Sequence, residues 1–225
     1  MKKLLLLLEF LTVTLLSIYS QDTDSLDPDT AYTRVLIGRV NKFLPDVLSQ
    51  DTDPDKYIRV RDIVVQQYKD LANIHDSRDA KINEIKKVSG VGGDILDIQV
   101  DAVKMAANVQ LYELHAAYIG KLSAELSPGL VEKVKDGMTY NVMPRTYTVY
   151  MEMLPDLTDE QKRFIYACLV EARELAIDKG SSDKKHATFG KYKGRINNYL
   201  SKAGIDLKQA EKDMMERKKA EQDSN

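Results

Sequence analysis

Two polar residues interrupt the apolar face of the longest predicted helix. Between Pro54 and about Val88, apolar residues recur at spacings of three and four, and His75 and Arg78 occupy two of those positions. Burial of either side chain without a partner is costly, so each needs a hydrogen bond, an ion pair or an open cavity. In a cavity, His75 is suited to proton transfer and Arg78 to binding a carboxylate. The alternatives are a structural ion pair, with Asp79 or an acid of another helix, and local exposure.

A second polar row lies on the next predicted helix, beside its apolar stripe. Lys104, Asn108 and His115 follow one another at helical spacings. If this helix pairs antiparallel with the preceding one through the glycines of residues 90–93, His75 and His115 lie at comparable heights. We therefore expect His115 to share the catalytic role and Asn108 to contact a ligand. The alternative for His115 is a satisfied residue at the margin of the stripe.

Three acids, Glu171, Glu174 and Asp178, share one face of a later predicted helix. Such a row supports a general acid and base, or holds a metal ion through oxygen ligands, and Glu171 is the expected catalytic member. A solvated or salt-bridged face is the other interpretation. The three histidines of the chain are isolated, without the paired spacing of zinc ligands, so we expect no metal site and no cofactor.

The segment 184–204 contains six lysines and arginines and no acid, in a chain of net charge −2. Aromatic residues are interleaved with these cations, as in sites that stack sugar rings, and a local cationic surface suits a carboxylated or sulfated ligand. The expected ligand-binding residues are His186, Tyr192, Lys193 and Arg195. The alternative is that these cations pair with the acidic row that precedes them.

The elements that position these residues are all predicted to be helices. Apolar spacing and capping signals predict helices over 30–44, 54–88, 95–122, 128–137, a stretch opened by Asn141 and Pro144, 158–178, 186–202, and a last helix capped by Asp206. The capping signals include Asp53 before Pro54, and Thr158 with Gln161, which make a capping box. Because these lengths are unequal, the predicted fold is an all-α, irregular multi-helix bundle in a single domain. The predicted divisions are a signal peptide (1–20), a linker (21–28), a helical domain (29–204) and a charged C-terminal helix with a frayed tail (205–225).

The N-terminal residues and the composition restrict the location and the partners. Lys2 and Lys3 precede an apolar run that ends near Ser20, which is typical of a cleaved leader and predicts a periplasmic or extracellular protein without stable membrane insertion. The alternative is an uncleaved membrane anchor, for which the run is interrupted and rather short. The weakly acidic balance of charge argues against nucleic-acid binding.

Cys168, the single cysteine, is expected to be buried. The sequence lacks a nucleophile elbow, a phosphate loop, a dinucleotide fingerprint and kinase motifs, which excludes enzymes that need those parts.

Three stretches together resemble a family of uncharacterised exported bacterial proteins, catalogued as a domain of unknown function. They read YIRVRDIVVQQYKDLANIHDSRDAKI, VEKVKDGMTYNVMPRTY and LTDEQKRFIYACLVEARELAIDKGSSDKKHATFGKYKGRINNYL. The resemblance implies an origin in Gram-negative bacteria that degrade plant or algal polysaccharides. A looser similarity links Leu157-Thr158-Asp159-Glu160-Gln161 to periplasmic chaperones with a Leu-Thr-x-x-Gln motif, although the upstream counterpart, Leu126–Leu130, lacks the glutamine.

These observations predict an exported accessory protein that binds, and in one version processes, an anionic, uronate-type saccharide. As an enzyme it would be a lyase or hydrolase of a uronate-containing glycan. Arg78, Lys193 or Arg195 would neutralise the carboxylate, His75 or His115 would move the proton, and Glu171 would assist. The alternative is a chaperone or envelope scaffold without a catalytic site. The saccharide hypothesis requires helix 54–88 and the 186–195 segment to meet around one hollow.

Overall fold

A computed structural model describes residues 30–88 and 93–223 of the chain. The predicted leader, the predicted linker and the glycines at 90 and 92 lie outside these residues. Eight α-helices and a short 3-10 helix form the described part, which contains no strand. The α-helices are α1 (Ala31–Val40), α2 (Pro54–Val88), α3 (Asp94–Glu125), α4 (Pro128–Met138), α5 (Val142–Met153), α6 (Asp159–Ile177), α7 (Ser182–Lys202) and α8 (Leu207–Asp223); the 3-10 helix is Leu44–Asp46. The predicted all-α, multi-helix class is thus confirmed. None of the helices in the described ranges has the length and apolar character that a bilayer span requires.

The chain divides into two compact units, residues 1–34 and 35–225. In the described part of the first unit, Thr30 begins α1, because its Oγ1 accepts a hydrogen bond from the Thr33 backbone N–H at 3.1 Å. The sites described below all lie in the second unit.

Helices α2 and α3 form a long antiparallel hairpin. Asp53 caps α2 as predicted, with its Oδ1 accepting a hydrogen bond from the Lys56 backbone at 2.9 Å. At the opposite end of the hairpin from its turn, the guanidinium of Arg59 lies 3.1 Å from the carboxylate of Glu125. The apolar stripe of α3 packs inward and includes the buried residues Tyr118 and Leu122. This hairpin holds both His75 and His115.

Helices α5, α6 and α7 surround a second apolar core, to which α8 adds partly buried residues. The predicted capping box starts α6, since Thr158 and Gln161 each bind the backbone N–H of the other. Cys168 lies in this core with 3% exposure, as expected for a structural cysteine. The segment TYTVYMEM, which has strand propensity, is helical because Tyr150 packs into this core.

Two helix boundaries lie four residues from their predicted positions. Helix α1 ends at Val40 rather than Leu44, and Pro45 falls inside the 3-10 helix. Helix α7 begins at Ser182 rather than His186, because the Ser181 Oγ caps it by accepting the Lys184 backbone N–H at 3.2 Å.

The C-terminal helix α8 occupies most of the stretch 205–225, for which a charged helix with a frayed tail is predicted. Arg217 donates to the backbone carbonyl of Glu152 at 2.8 Å, and Lys218 lies 2.7 Å from the Glu152 carboxylate. These contacts with the end of α5 accompany a helix that continues to Asp223.

Candidate functional site

His75 is buried and hydrogen-bonded through both ring nitrogens. Arg78 donates to its Nδ1 at 2.9 Å, and since a guanidinium can only donate, the ring proton lies on Nε2. That Nε2–H donates to the backbone carbonyl of Asp178 at 2.8 Å. The ring approaches Gly180 so closely that a Cβ on Gly180 would lie 2.8 Å from its Cδ2. Burial lowers the pKa of His75, and the neutral tautomer fits both hydrogen bonds.

His115 binds a different atom of the same residue, Asp178, which directly follows α6. Its Nδ1 lies 2.9 Å from the Asp178 carboxylate, and its Nε2 lies 3.6 Å from Glu174. The hydrogen bond that His115 donates to the Asp178 carboxylate raises the pKa of His115. The two histidines therefore meet at the end of α6, one neutral and bound to a carbonyl, the other favouring its charged form beside carboxylates.

Substituting Asp178 by asparagine is expected to separate these two histidines. The pKa of His115 should fall towards its ordinary value, while that of His75, which contacts only the backbone of residue 178, should change little. NMR titration of the ring protons measures both values. Parallel shifts of the two pKa values would contradict this assignment.

The contributions of His115 and His75 to folding stability depend on pH in opposite directions. The contribution of His115 to stability is complete below its unfolded pKa of about 6.5 and is lost as the pH rises through its raised folded-state pKa. The contribution of His75 is present above about pH 6.5 and is lost as the pH falls through its lowered folded-state pKa. In the Asp178→Asn variant, the pH dependence of stability that arises from His115 should become smaller.

Arg78 forms an ion pair with Asp79 at 2.7 Å, which is the structural alternative considered for it. Its guanidinium is thus shared between His75 and a neighbouring acid. Asn108 and Lys104 lie on the exposed side of α3, and Lys104 pairs with Asp101 at 2.8 Å.

The predicted acidic row on α6 is divided among three different partners. Glu171 is exposed and pairs with Arg195 at 3.2 Å, Glu174 binds Lys135 at 3.0 Å, and Asp178 binds His115. Glu171 and Asp178 are seven residues apart, which is about 10 Å along a helix. Glu171 is therefore not placed beside the histidines. No group of three His, Cys, Asp or Glu side chains in the described ranges is arranged to hold a metal ion.

A buried ion-pair network joins α4 to α6. Arg173 has 2% side-chain exposure and donates to Asp136 at 2.8 Å and to Glu174 at 3.1 Å, and it also binds Glu132. Lys135 binds Glu132 as well as Glu174. Burial raises the pKa of Asp136 despite the bond from Arg173. These ion pairs hold the last turns of α6, where Glu174 lies, against α4.

The middle of α7 forms a shallow pocket of about 540 Å³. Its lining consists of Phe164, Lys191, Gly194, Arg195, Asn198, Tyr199 and Lys202. Arg195 lies 5.8 Å from the centre of the Phe164 ring, and Phe164 stacks on Tyr199 at 4.0 Å.

The lining of this pocket includes no residue of α2 or α3, so it does not join His75 and Arg78 to the predicted ligand residues of α7. Lys193 is exposed outside the lining, and Tyr192 is half-buried, with a pKa raised to about 12 by burial and by Glu171. Neither this pocket nor the cleft described next is lined by His75 or Arg78.

A different cleft, of about 610 Å³, combines residues of several helices. Its lining consists of Val35, Gly38, Arg39, Lys42, Phe43, Tyr68, Gly137, Tyr140, Asn141 and Arg145. We call it the Tyr68–Tyr140 cleft. Three of these residues are cations, two are tyrosines, and none of the described lining residues is acidic. The cleft therefore has a positive potential beside aromatic surfaces.

The left-handed backbone of Tyr140 and Asn141 forms one wall of the cleft. Their φ angles are 61° and 54°, a conformation that side chains other than glycine and asparagine seldom adopt. Arg145 stabilises this turn from α5 by donating to the backbone carbonyls of both residues. Backbone strain held in place by such contacts is common at functional sites.

His186 is the predicted ligand residue that lies next to this cleft. Its ring stacks on Tyr140, with the ring centres 5.4 Å apart and the planes inclined by 14°. Through this stack, the first turns of α7 hold the Tyr140 ring in the wall of the cleft.

Two cations lie against the Tyr68 ring: Arg39 of the cleft lining, and Lys185, which is not part of the lining. Arg39 lies 5.3 Å from the centre of the Tyr68 ring, and the Lys185 ammonium lies 5.4 Å from it. Lys185 is buried, donates to the Met138 carbonyl at 2.9 Å, and has its pKa lowered to about 8 by that burial. Burial also raises the pKa of Tyr68, so its hydroxyl is a neutral hydrogen-bond donor at physiological pH.

Sequence reasoning missed Arg39, Lys42, Tyr68 and Arg145 because they come from different elements and share no spacing. The local signal was Asn141, since asparagine is favoured in left-handed turns and stands between two helices. That signal marks the wall of the cleft, but it does not identify which distant cations face it.

The comparisons with known proteins place the chain at the level of a family. No curated protein matches it. Residues 38–220, more than three quarters of the chain, match the family model described as "Protein of unknown function (DUF3826)". The family match spans α2 to α7 completely and includes every lining residue of the Tyr68–Tyr140 cleft except Val35. The chain belongs to the DUF3826 family.

Proposed function

We propose that this protein binds an anionic saccharide of the uronate type in the Tyr68–Tyr140 cleft. The observation that carries the proposal is the composition of the lining, in which Arg39, Lys42 and Arg145 accompany two tyrosines and no described lining residue is acidic. A cavity with one sign of charge concentrates ligands of the opposite sign.

The two kinds of side chain suit the two parts of such a ligand. Tyrosine rings offer flat apolar faces with a polar edge, which fit the face of a sugar ring. Arginine and lysine bind carboxylates through charge-assisted hydrogen bonds. Arg39, Lys42 and Arg145 have no acidic partner among the described residues, whereas Arg195 already pairs with Glu171. The Tyr68–Tyr140 cleft is therefore the better candidate of the two cationic pockets.

The family resemblance supports the same class of ligand. It implies export in Gram-negative bacteria that degrade plant or algal polysaccharides, where acidic glycans are abundant. A periplasmic or extracellular location of this chain is part of the proposal, and it rests on the N-terminal leader pattern.

Binding is the core of the proposal, and catalysis is not required. A lyase or hydrolase role for His75, Arg78, His115 and Glu171 stays a prediction. The first three residues lie together, but Glu171 lies elsewhere on α6, and His75 uses both ring nitrogens in hydrogen bonds. This arrangement favours a structural role for His75 over proton transfer.

Lys42→Gln is expected to weaken binding of trigalacturonate by about tenfold or more, because it removes one charge-assisted hydrogen bond. Titration calorimetry at low salt measures the affinity, with a neutral trisaccharide as the ligand control. Affinity should also fall as salt is added.

Lys193→Gln is the matched control variant, since Lys193 is also an exposed lysine but lies outside the cleft lining. It should bind like the parent protein. Equal weakening by both substitutions would indicate general charge attraction, and no binding of trigalacturonate by the parent would refute the proposed ligand.

A further inference from the structure

The outer face of α3 carries a continuous apolar seam that faces solvent. Its members are Ile95, Ile98, Ala102, Met105, Val109, Tyr112 and Ala116. Ile98 and Met105 are each 68% exposed, and Tyr112 is 77% exposed. Isolated exposed apolar residues are ordinary on protein surfaces, but a contiguous strip of them marks an interaction surface.

The seam follows the spacing of a coiled coil. Its members are separated alternately by three and four residues, which is the pattern of positions a and d in a heptad. The face that packs against α2 uses a different set, including the buried residues Ala107 and Tyr118. Met105 and Val109 each lie two residues from Ala107, about 200° around the helix, so they point away from α2. Thus α3 has two apolar faces, and the outer one contacts no other helix among the described residues.

The area of the seam fits a weak, reversible association. From Ile95 to Ala116 the helix is about 32 Å long and about 10–12 Å wide. Such a strip offers roughly 350 Å² on each partner and roughly 700 Å² in a pair, which is smaller than a stable dimer interface and is the size of a weak, transient contact.

When two copies of α3 pack antiparallel, large residues of one seam lie opposite small residues of the other. With a two-fold axis between Met105 and Val109, these residues face each other across the pair. In the same register Tyr112 opposes Ala102 of the second copy, and Ile98 opposes Ala116. Each large residue of these pairs meets a small one, whereas a parallel pair would set Tyr112 against Tyr112 and Ala102 against Ala102.

We infer that two copies of this chain associate through the outer face of α3, packed antiparallel about Met105 and Val109. The antiparallel arrangement also separates the acidic N-terminal ends of the two helices, which carry Asp94 and Asp97, and opposes their dipoles. Because the seam residues recur at a helical spacing, the seam fits another helix of the same period better than an unfolded chain. This inference is independent of the saccharide proposal.

Sedimentation velocity on the full chain, from about 1 μM to about 500 μM, tests the association. The parent should shift from monomer to dimer with concentration, and Met105→Glu with Val109→Glu should abolish the shift. Because both residues are more than half exposed, circular dichroism and thermal unfolding of the variant should match the parent. Met215→Glu, at a 58% exposed methionine of α8, is the matched control and should leave the shift intact. A parent that stays monomeric throughout would overturn the inference, and so would a monomer that suppresses aggregation of a denatured client through this face.

Engineered cysteines test the direction of the pair independently of the glutamate variants. The variants Ala102→Cys and Tyr112→Cys, mixed and mildly oxidised, should form a mixed disulfide faster than either variant alone. Faster cross-linking of Ala102→Cys with itself would indicate a parallel pair and would overturn the antiparallel inference.

Discussion

Replacing Arg173 by methionine is expected to lower the free energy of unfolding by about 3–5 kcal/mol, the largest effect of any single substitution proposed for this chain. Arg173 is almost fully buried and binds Glu132, Asp136 and Glu174. Methionine fills part of the same space but leaves these carboxylates without their shared cation. Urea unfolding followed by circular dichroism measures the change.

The matched control for Arg173 is Arg195→Met. Arg195 also pairs with a glutamate, but both side chains are more than half exposed, so the loss should be at most about 1 kcal/mol. Similar decreases in the free energy of unfolding of the two variants would mean that burial does not determine how much these ion pairs stabilise the protein. A further readout is the midpoint of acid unfolding, which should change in the Arg173 variant more than in the Arg195 variant.

Gly137→Ala is expected to destabilise the protein by about 1–3 kcal/mol, although alanine is the better helix former. A Cβ at Gly137 would overlap Cδ2 of Phe43, so the Phe43 ring must move. Both residues line the Tyr68–Tyr140 cleft, and the variant should therefore also bind trigalacturonate more weakly than the parent. Thermal unfolding and calorimetry measure the two effects.

Gly190→Ala in α7 separates the steric effect from helix propensity. Nothing lies within 4 Å of a Cβ built at Gly190, so the substitution should stabilise the protein, by up to about 1 kcal/mol. Destabilisation by both substitutions would contradict the contact between Gly137 and Phe43 as the cause.

The fold could be predicted where its determinants are local. Asp53 followed by Pro54, and Thr158 with Gln161, are capping signals within one helical turn, and each helix starts where they predicted. The inward position of His75 also followed from the spacing of its own helix. The start of α7 was missed because Ser181, which caps it, stands in a Gly-Ser-Ser sequence typical of a loop.

The candidate site could be predicted only in part. His186 was expected to bind ligand from its own segment, and it stacks beside the Tyr68–Tyr140 cleft. Arg39, Tyr68 and Arg145 lie on three different helices, and only tertiary packing brings them to one surface. The pairing of Arg195 with Glu171 likewise depends on how α6 and α7 pack.

The burial of the chain's one thiol has a practical consequence. Cys168 is in the core that α5, α6 and α7 surround, and burial raises the pKa of its thiol. A bulky maleimide reaches this sulfur only when the core opens, so the native background needs no serine replacement before cysteines are introduced at the surface. The rate at which Cys168 is labelled then measures how often the core around it opens.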